Sequence, residues 1–387
     1  MISTRLLANL YVGISLTMPV MAMANESDIT RQTSPQIAPI EQALTLTQVQ
    51  TETSIDTLLV TAQQSNTISG INLSKHLNAN PADPLDMVTK FGEDKIRALA
   101  QASPTSYALD SLVIPNNLKM EQMAAGANYA AHGEEVGGAK VFLFPKYAQP
   151  TADNTALTTS KGELLDYEIE LCARFDRDIN TMSDFQAATK GIFLCGDFTD
   201  RAVLLRLVDK DNVESGVGFT DGKSGSGRFP IGAFTVVPKD WSAFLANTQM
   251  TLTVNNELKQ AASGKMMIQK LDGILNSAFA EKDDTRWIYQ EQNIPLLKGN
   301  TLYKGQSILT GTPEGVTFRP PGKGFIAMNA LKWIATGSFI SHSAVNYVVG
   351  EFIEEELTTK RYLQPGDVVE MQASYLGKVS VNIIAAD

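Results

Sequence analysis

Between Leu164 and Ala173 the chain reads Leu164-Leu165-Asp166-Tyr167-Glu168-Ile169-Glu170-Leu171-Cys172-Ala173, with acids at alternate positions. Side chains of a β-strand alternate between its faces, so this spacing sends Asp166, Glu168 and Glu170 to one side and Tyr167, Ile169 and Leu171 to the other. Three carboxylates on one face repel. If that face points inward it needs a counter-charge, which a hard divalent cation such as Mg²⁺ or Ca²⁺ supplies while taking oxygen ligands. The competing reading is an edge strand whose acidic face is solvated.

A second apolar run, Gly191-Ile192-Phe193-Leu194-Cys195-Gly196, ends in Asp197-Phe198-Thr199-Asp200-Arg201. A buried strand that ends in an acid, a hydroxyl and an arginine delivers polar groups to a pocket, and Asp197 is a candidate to complete the cation's shell. Between the runs, Thr181 to Lys190 opens on Thr and Ser capping candidates and reads as a short helix closed by Gly191. Cys172 and Cys195 are the only cysteines, each two residues from a proposed ligand, Glu170 and Asp197. Adjacent antiparallel strands with Glu170 opposite Asp197 would permit a bridge, whereas a parallel crossover through the intervening helix would separate them. The reading adopted is two buried free thiols. Neither cysteine has histidine or cysteine at ligand spacing, so zinc does not fit.

The 387 residues are 43% hydrophobic, enough for one large core or two modest ones. A formal net charge of −10 leaves no basic stripe for phosphates and argues against a nucleic-acid partner. Arg5, an apolar stretch from Leu6 to Met18, Pro19 and Ala22-Met23-Ala24 read as a secretory signal over 1–24. The expected location is therefore the periplasm or another exported space, with no membrane contact after cleavage; an uncleaved anchor is the alternative. Residues 25–105 are expected to form a loosely attached, partly helical extension, rich in Ser, Thr, Gln and Asn up to about 75 and helical from Pro84 to Ala100. Over 106–387, short apolar runs alternate with Gly and Pro turns, the texture of a β-rich domain with inserted helices. The stretch 317–362 has apolar runs too short for a membrane span and reads as a packed insertion or subunit contact.

Three histidines occur. On a helix, His132 would have Glu135 beside its ring at i+3, and a carboxylate there orients the imidazole and raises its basicity. A surface or capping histidine is the plainer reading, applied here to His76 and His342. Lys223 and Arg228 sit in a glycine-rich stretch, Asp221 to Gly232, that suits either an anion or a plain surface turn. Thr310-Gly311-Thr312-Pro313-Glu314-Gly315-Val316 is a tight turn, either an anion cradle or a hairpin.

Taken in order, several segments resemble the fumarylacetoacetate hydrolase family across residues 107–387. They are Asn128 to His132 with Glu135, Asp166 to Leu171, Gly191 to Arg201, and Gly222-Lys223-Ser224 with Pro230-Ile231-Gly232, followed by Val254 to Leu258, Thr310 to Val316 and Leu363 to Asp367. The resemblance implies an α+β, mostly β fold, the mixed β-roll of that family with inserted helices. It implies Mg²⁺, Mn²⁺ or Ca²⁺ held by Glu168, Glu170 and Asp197, and a small-molecule 2-oxo acid substrate of the fumarylacetoacetate or acylpyruvate kind. The reaction implied is hydrolysis of a carbon–carbon bond in a 1,3-dicarbonyl acid: His132 and Glu135 deprotonate water, and Lys223 and the Thr312 turn stabilise the oxyanion.

Departures from the family pattern concern the substrate side. Asp200 replaces a usual alanine, Leu204 stands where a substrate-facing amide is common, and Gly225-Ser226 replaces a Phe-Asp pair. Arg201 and Arg228 are candidate substrate contacts. Decarboxylation or isomerisation of 2-oxo diacids on the same fold is the alternative, and a catalytically lapsed exported binding protein is a third. An isologous homodimer is the expected assembly.

Overall fold

The computed structural model describes residues 36–386. The proposed leader and its cleavage point after Ala24 lie outside them. Ile169–Phe175 is a strand buried at every position, as a strand covered on both faces requires. It pairs antiparallel with Lys190–Gly196 on one edge and with Ser307–Leu309 on the other. The crossover geometry is thus excluded. The register also differs by two residues from the one considered above: Ile169 faces Gly196, Glu170 faces Cys195, and the Asp197 N–H donates to the Glu168 carbonyl at 2.9 Å.

This pair lies inside an eleven-stranded mixed sheet that continues through Thr235–Pro238 to Ala43–Gln50, Ile55–Gln63, Thr67–Asn72 and Thr105–Ala108. Residues 43–72 are therefore integral to the main sheet, not a loose extension. Their alternation was masked by buried polar residues: Thr45 and Thr47 lie on one face, where Thr47 Oγ1 donates to the Ala233 carbonyl. The other face presents Leu44, Leu46, Leu59 and Ile71 to the helix Leu85–Phe91, each contributing about 1.5–3 kcal/mol of apolar burial. That helix and Glu93–Ala98 fall within the helical stretch expected from Pro84 to Ala100, interrupted at Gly92.

Thr181 caps the helix Met182–Ala187 through a capping box with Asp184. Gly191 does not close it. It is a strand residue whose missing side chain admits Leu85 and Thr235, since a Cβ there would lie 2.7 Å from Thr235 Cγ2 and 3.0 Å from Leu85 Cδ2. The N-terminal helix consequently packs directly on the strand Lys190–Gly196. Arg174, buried, completes the join by pairing with Asp83 and donating to Thr235 Oγ1 at 2.8 Å.

A five-stranded sheet, Glu257–Ser263, Gln249–Val254, Val368–Ala373, Gly377–Ala385 and Asn154–Thr159, packs into the same core. The 317–362 stretch forms a helical hairpin, Lys323–Ala335 and Ala344–Thr359, seated through Ile353 on Leu164, Ala202 and Tyr362. No helix of the described residues is long and apolar enough to cross a membrane.

Candidate active site

The chain breaks strand pairing between Leu165–Asp166 and Ile169–Phe175, so the acids do not all stay on one face. Asp166 turns away. It binds Arg201 Nε at 2.9 Å and accepts the N–H groups of Thr317 and Phe318 at 2.9 and 3.1 Å. Glu168 and Glu170 instead meet Asp197: one carboxylate oxygen from each lies within 4.8 Å of the others, and all three are buried.

Three cations brace this cluster. Lys146 Nζ lies 2.7 Å from Asp197 Oδ1 and also donates to the Lys223 carbonyl. Lys223, at the end of the helix Phe219–Lys223, donates to Glu168 at 2.7 Å, Asp197 at 2.9 Å and Thr199 Oγ1 at 2.8 Å. Arg201 Nη2 reaches Glu168 at 2.7 Å. Burial opposes ionisation of Asp197, but Lys146 and Lys223 hold its carboxyl below the usual range. Burial lowers Lys146, outweighing the pull of Asp197. For Lys223 the order is reversed: burial disfavours the charge, yet Asp197 and Glu168 raise its pKa.

Glu170 differs. No ion pair reaches it among the described residues, and its hydrogen-bond donor is the Gly311 N–H. Burial, then Asp197, then Glu168 push its pKa well above the ordinary carboxylate value. Beside it Tyr129 Oη is buried without a partner, and Glu170 contributes to raising the tyrosine's pKa after burial. The cluster of Asp166, Glu168, Glu170 and Asp197 against Lys146, Arg201 and Lys223 holds one more carboxylate than cations. An all-oxygen donor set with uncompensated buried charge fits a hard divalent cation, held by Glu168, Glu170 and Asp197.

The turn after Ser307–Leu309 joins this cluster to a second group. Gly311 (φ 94°) and Gly315 (φ 106°) occupy the left-handed region, where glycine carries no Cβ penalty. Gly311 N–H serves Glu170, and Gly315 N–H donates to Glu135 at 3.0 Å. Glu135 in turn lies 3.0 Å from His132 Nδ1 and 2.7 Å from Arg319. Both dyad members belong to the helix Ala130–Glu135, which supplies the i, i+3 spacing. His76 and His342 are exposed.

A cavity of about 290 Å³ opens onto His132, Glu168, Asp197, Arg201, Lys223 and Thr312. Six of the nine residues singled out from the sequence therefore share one cavity, with Glu135 and Glu170 directly behind it. Arg228 is the exception. It pairs with Glu163 in a separate surface cleft, while its carbonyl accepts the Phe198 N–H at 3.1 Å. The Thr312 hydroxyl is already engaged, donating to the Ile169 carbonyl and accepting from Gln260, both at 2.9 Å. Cys172 and Cys195 form a disulfide across the antiparallel pair, with Cα atoms 6.0 Å apart. The free-thiol reading fails because the observed register makes them diagonal neighbours within bridging reach.

Sequence reasoning missed Lys146 and Arg319. Lys146 carried a usable signal, a lysine inside the apolar strand Phe142–Tyr147, where burial of a charge demands an acid partner. Arg319 carried none, since its partner is remote in sequence.

Residues 122–384 match the family described as fumarylacetoacetate (FAA) hydrolase, C-terminal. The chain belongs to this family. Over 201 residues it is 28% identical to the mitochondrial oxaloacetate tautomerase of Bos taurus, covering 50% of this chain and 80% of that protein. An uncharacterised protein of Staphylococcus aureus is 29% identical over 209 residues, 52% of this chain and 59% of its own length. The fold is shared with 2-hydroxyhepta-2,4-diene-1,7-dioate isomerase from Mycobacterium marinum (TM-score 0.52, 16% identity, 88% of this chain and 98% of the other). It is shared equally with fumarylacetoacetate hydrolase from Exiguobacterium antarcticum (TM-score 0.53, 18% identity, 89% and 100%). Members of this family are enzymes acting on small molecules. The α+β fold expected from the motifs is the one observed.

Proposed function

We propose that this chain is a divalent-metal-dependent hydrolase that cleaves a carbon–carbon bond in a 1,3-dicarbonyl 2-oxo acid. The observation that carries the reading is the His132–Glu135 pair, 3.0 Å apart, on the wall of the cavity that also exposes Glu168 and Asp197. Glu168, Glu170 and Asp197 would hold a divalent cation, which would supply Lewis-acid stabilisation of the negative charge that develops on bond breaking.

The residues of the chain do the rest. Glu135 fixes the His132 ring by its Nδ1 side, leaving Nε2 as the base that takes a proton from water. The water oxygen adds to the distal carbonyl, the adjacent carbon–carbon bond breaks, and its electron pair stays with the 2-oxo acid fragment. The proton held by His132 returns to that fragment. Lys223 has its three donors committed to Glu168, Asp197 and Thr199, so it acts by positive charge and by holding the ligand carboxylates, and Thr312 contributes through its backbone. Export to an oxidising compartment accords with a chain that buries a disulfide.

A second reading, keto–enol tautomerisation or isomerisation of a 2-oxo diacid, is favoured by the tautomerase named among the relatives. The same dyad would then move a carbon-bound proton. The experiment is turnover of acylpyruvates, fumarylacetoacetate and oxaloacetate with Mg²⁺, Mn²⁺ and Ca²⁺, on native protein and His132→Ala. Hydrolysis of an acylpyruvate, reduced about 10²–10⁴-fold by the substitution, is the expected result. Interconversion of oxaloacetate tautomers without cleavage of any 1,3-dicarbonyl acid would establish the second reading.

A further inference from the structure

We propose that the cavity's distal half is a binding subsite for an uncharged apolar substituent, aromatic or branched alkyl, on a mono-carboxylate 2-oxo acid. This rests on the reading that the acid cluster holds a metal-chelated 2-oxo acid.

The cavity is chemically divided. Its polar groups are Glu168 and Asp197 at strand ends, Thr312 in the turn, and His132, Arg201 and Lys223 from three short helices. The rest of the lining is apolar: Leu204 and Leu205 of the helix Arg201–Leu207, Phe142 of the strand Phe142–Tyr147, Phe219 of the helix Phe219–Lys223, and Phe318 and Val349 from the 317–362 stretch. Phe142 and Phe219 pack ring against ring in a tilted arrangement, with centroids 4.6 Å apart and planes at 58°. Leu204 is buried against the cavity and offers no polar atom where an amide would serve a second carboxylate.

Charge points the same way. Arg201 Nε and Nη2 are engaged by Asp166 and Glu168, and Lys223 by Glu168, Asp197 and Thr199, so both positive charges are already matched by the acid cluster. Lys210 is the remaining cation on the lining, and it is exposed at the rim. The acid cluster exceeds its cations by one negative charge; a dication reverses that to one positive charge, which a single substrate carboxylate neutralises. A second carboxylate would sit desolvated against Leu204, Phe142 and Phe318, an arrangement that buried charge does not tolerate without a partner. An apolar group there gains by leaving water.

The test measures binding, which does not depend on turnover. Calorimetric titration of Mg²⁺-loaded protein with pyruvate, phenylpyruvate and oxaloacetate is expected to rank phenylpyruvate tightest, by about tenfold over oxaloacetate. Val349→Arg, which places a cation on the distal wall, is expected to remove or invert that preference while leaving pyruvate unchanged; Leu204→Gln serves if the first variant does not fold. Oxaloacetate binding as tightly as phenylpyruvate, or a preference that survives a folded variant, overturns the proposal. A retained preference in protein that hydrolyses no acylpyruvate removes only the assigned reaction, and failure of all three acids to bind removes the chelation reading together with this one.

Discussion

Lys146 Nζ and Asp197 Oδ1 stand 2.7 Å apart with both side chains sealed from water, and the same ammonium donates to the carbonyl of Lys223. One lysine thus sets a carboxylate of the acid cluster and the backbone of the second lysine in it. Lys146→Met leaves Asp197 with Lys223 as its remaining cation, and loss of one member of a buried pair costs about 3 kcal/mol. Urea unfolding of native and variant protein measures it. A difference below about 1 kcal/mol would show that Asp197 relaxes without its lysine.

Cys172 and Cys195 tie the two strands that carry Glu170 and Asp197, each cysteine two residues from its acid. The bridge spans a sequence separation of 23, and its removal is expected to lower stability by about 3 kcal/mol. Because it also fixes the strands bearing the ligands, Cys172→Ala with Cys195→Ala is expected to weaken Mg²⁺ binding about tenfold. Thermal unfolding with and without Mg²⁺ separates the two effects; unchanged metal affinity in the double variant contradicts the second.

The raised pKa of Glu170 gives metal binding a pH dependence of fixed sign. With the folded value above the unfolded one, the metal-free protein loses stability as pH rises from the unfolded value through the folded one, where the buried carboxyl must ionise beside Asp197 and Glu168. A divalent cation needs the ionised form, so its affinity rises over the same window and it releases a proton on binding. Isothermal titration with Mg²⁺ in buffers of different ionisation enthalpy reports that proton. Glu170→Gln is expected to abolish both the proton release and most of the stabilisation by metal; affinity independent of pH would refute the assignment.

Asp153, half-buried in a small cleft with Phe234 and Leu376, is raised to about 6 by burial, against the pull of two backbone N–H groups. The folded value again exceeds the unfolded one, so its contribution is neutral at low pH and becomes unfavourable as pH rises through about 6. Asp153→Asn is expected to stabilise the protein at pH 8 by up to about 2 kcal/mol, discounted for partial exposure, and to leave it unchanged at pH 4. Chemical unfolding at the two pH values decides it.

The site was legible where chemistry is local. Glu168 and Glu170 share a face over three residues, and His132 and Glu135 share a helical turn, so backbone periodicity alone brings each pair together. Asp166 failed the same rule because the strand breaks after it and an arginine claims its oxygens. The N-terminal strands were hidden because Thr45 and Thr47 are buried on one face of their strand and Gln48 on the other, so polar residues stand where pattern reading expects apolar ones. Arg228 was misplaced because proximity in a loop does not say on which side of the backbone a side chain emerges.

Residue types and short spacings determined that acids, a histidine–glutamate pair and a glycine turn would be present, since these follow from the covalent chain and its two repeat lengths. Which carboxylates converge, which cations hold them, that the cysteines bridge, and that the far wall of the cavity is apolar were decided by strand register and helix packing. Those depend on contacts between segments up to about two hundred residues apart, whose energies sum over the whole core and leave no mark in any one window of sequence.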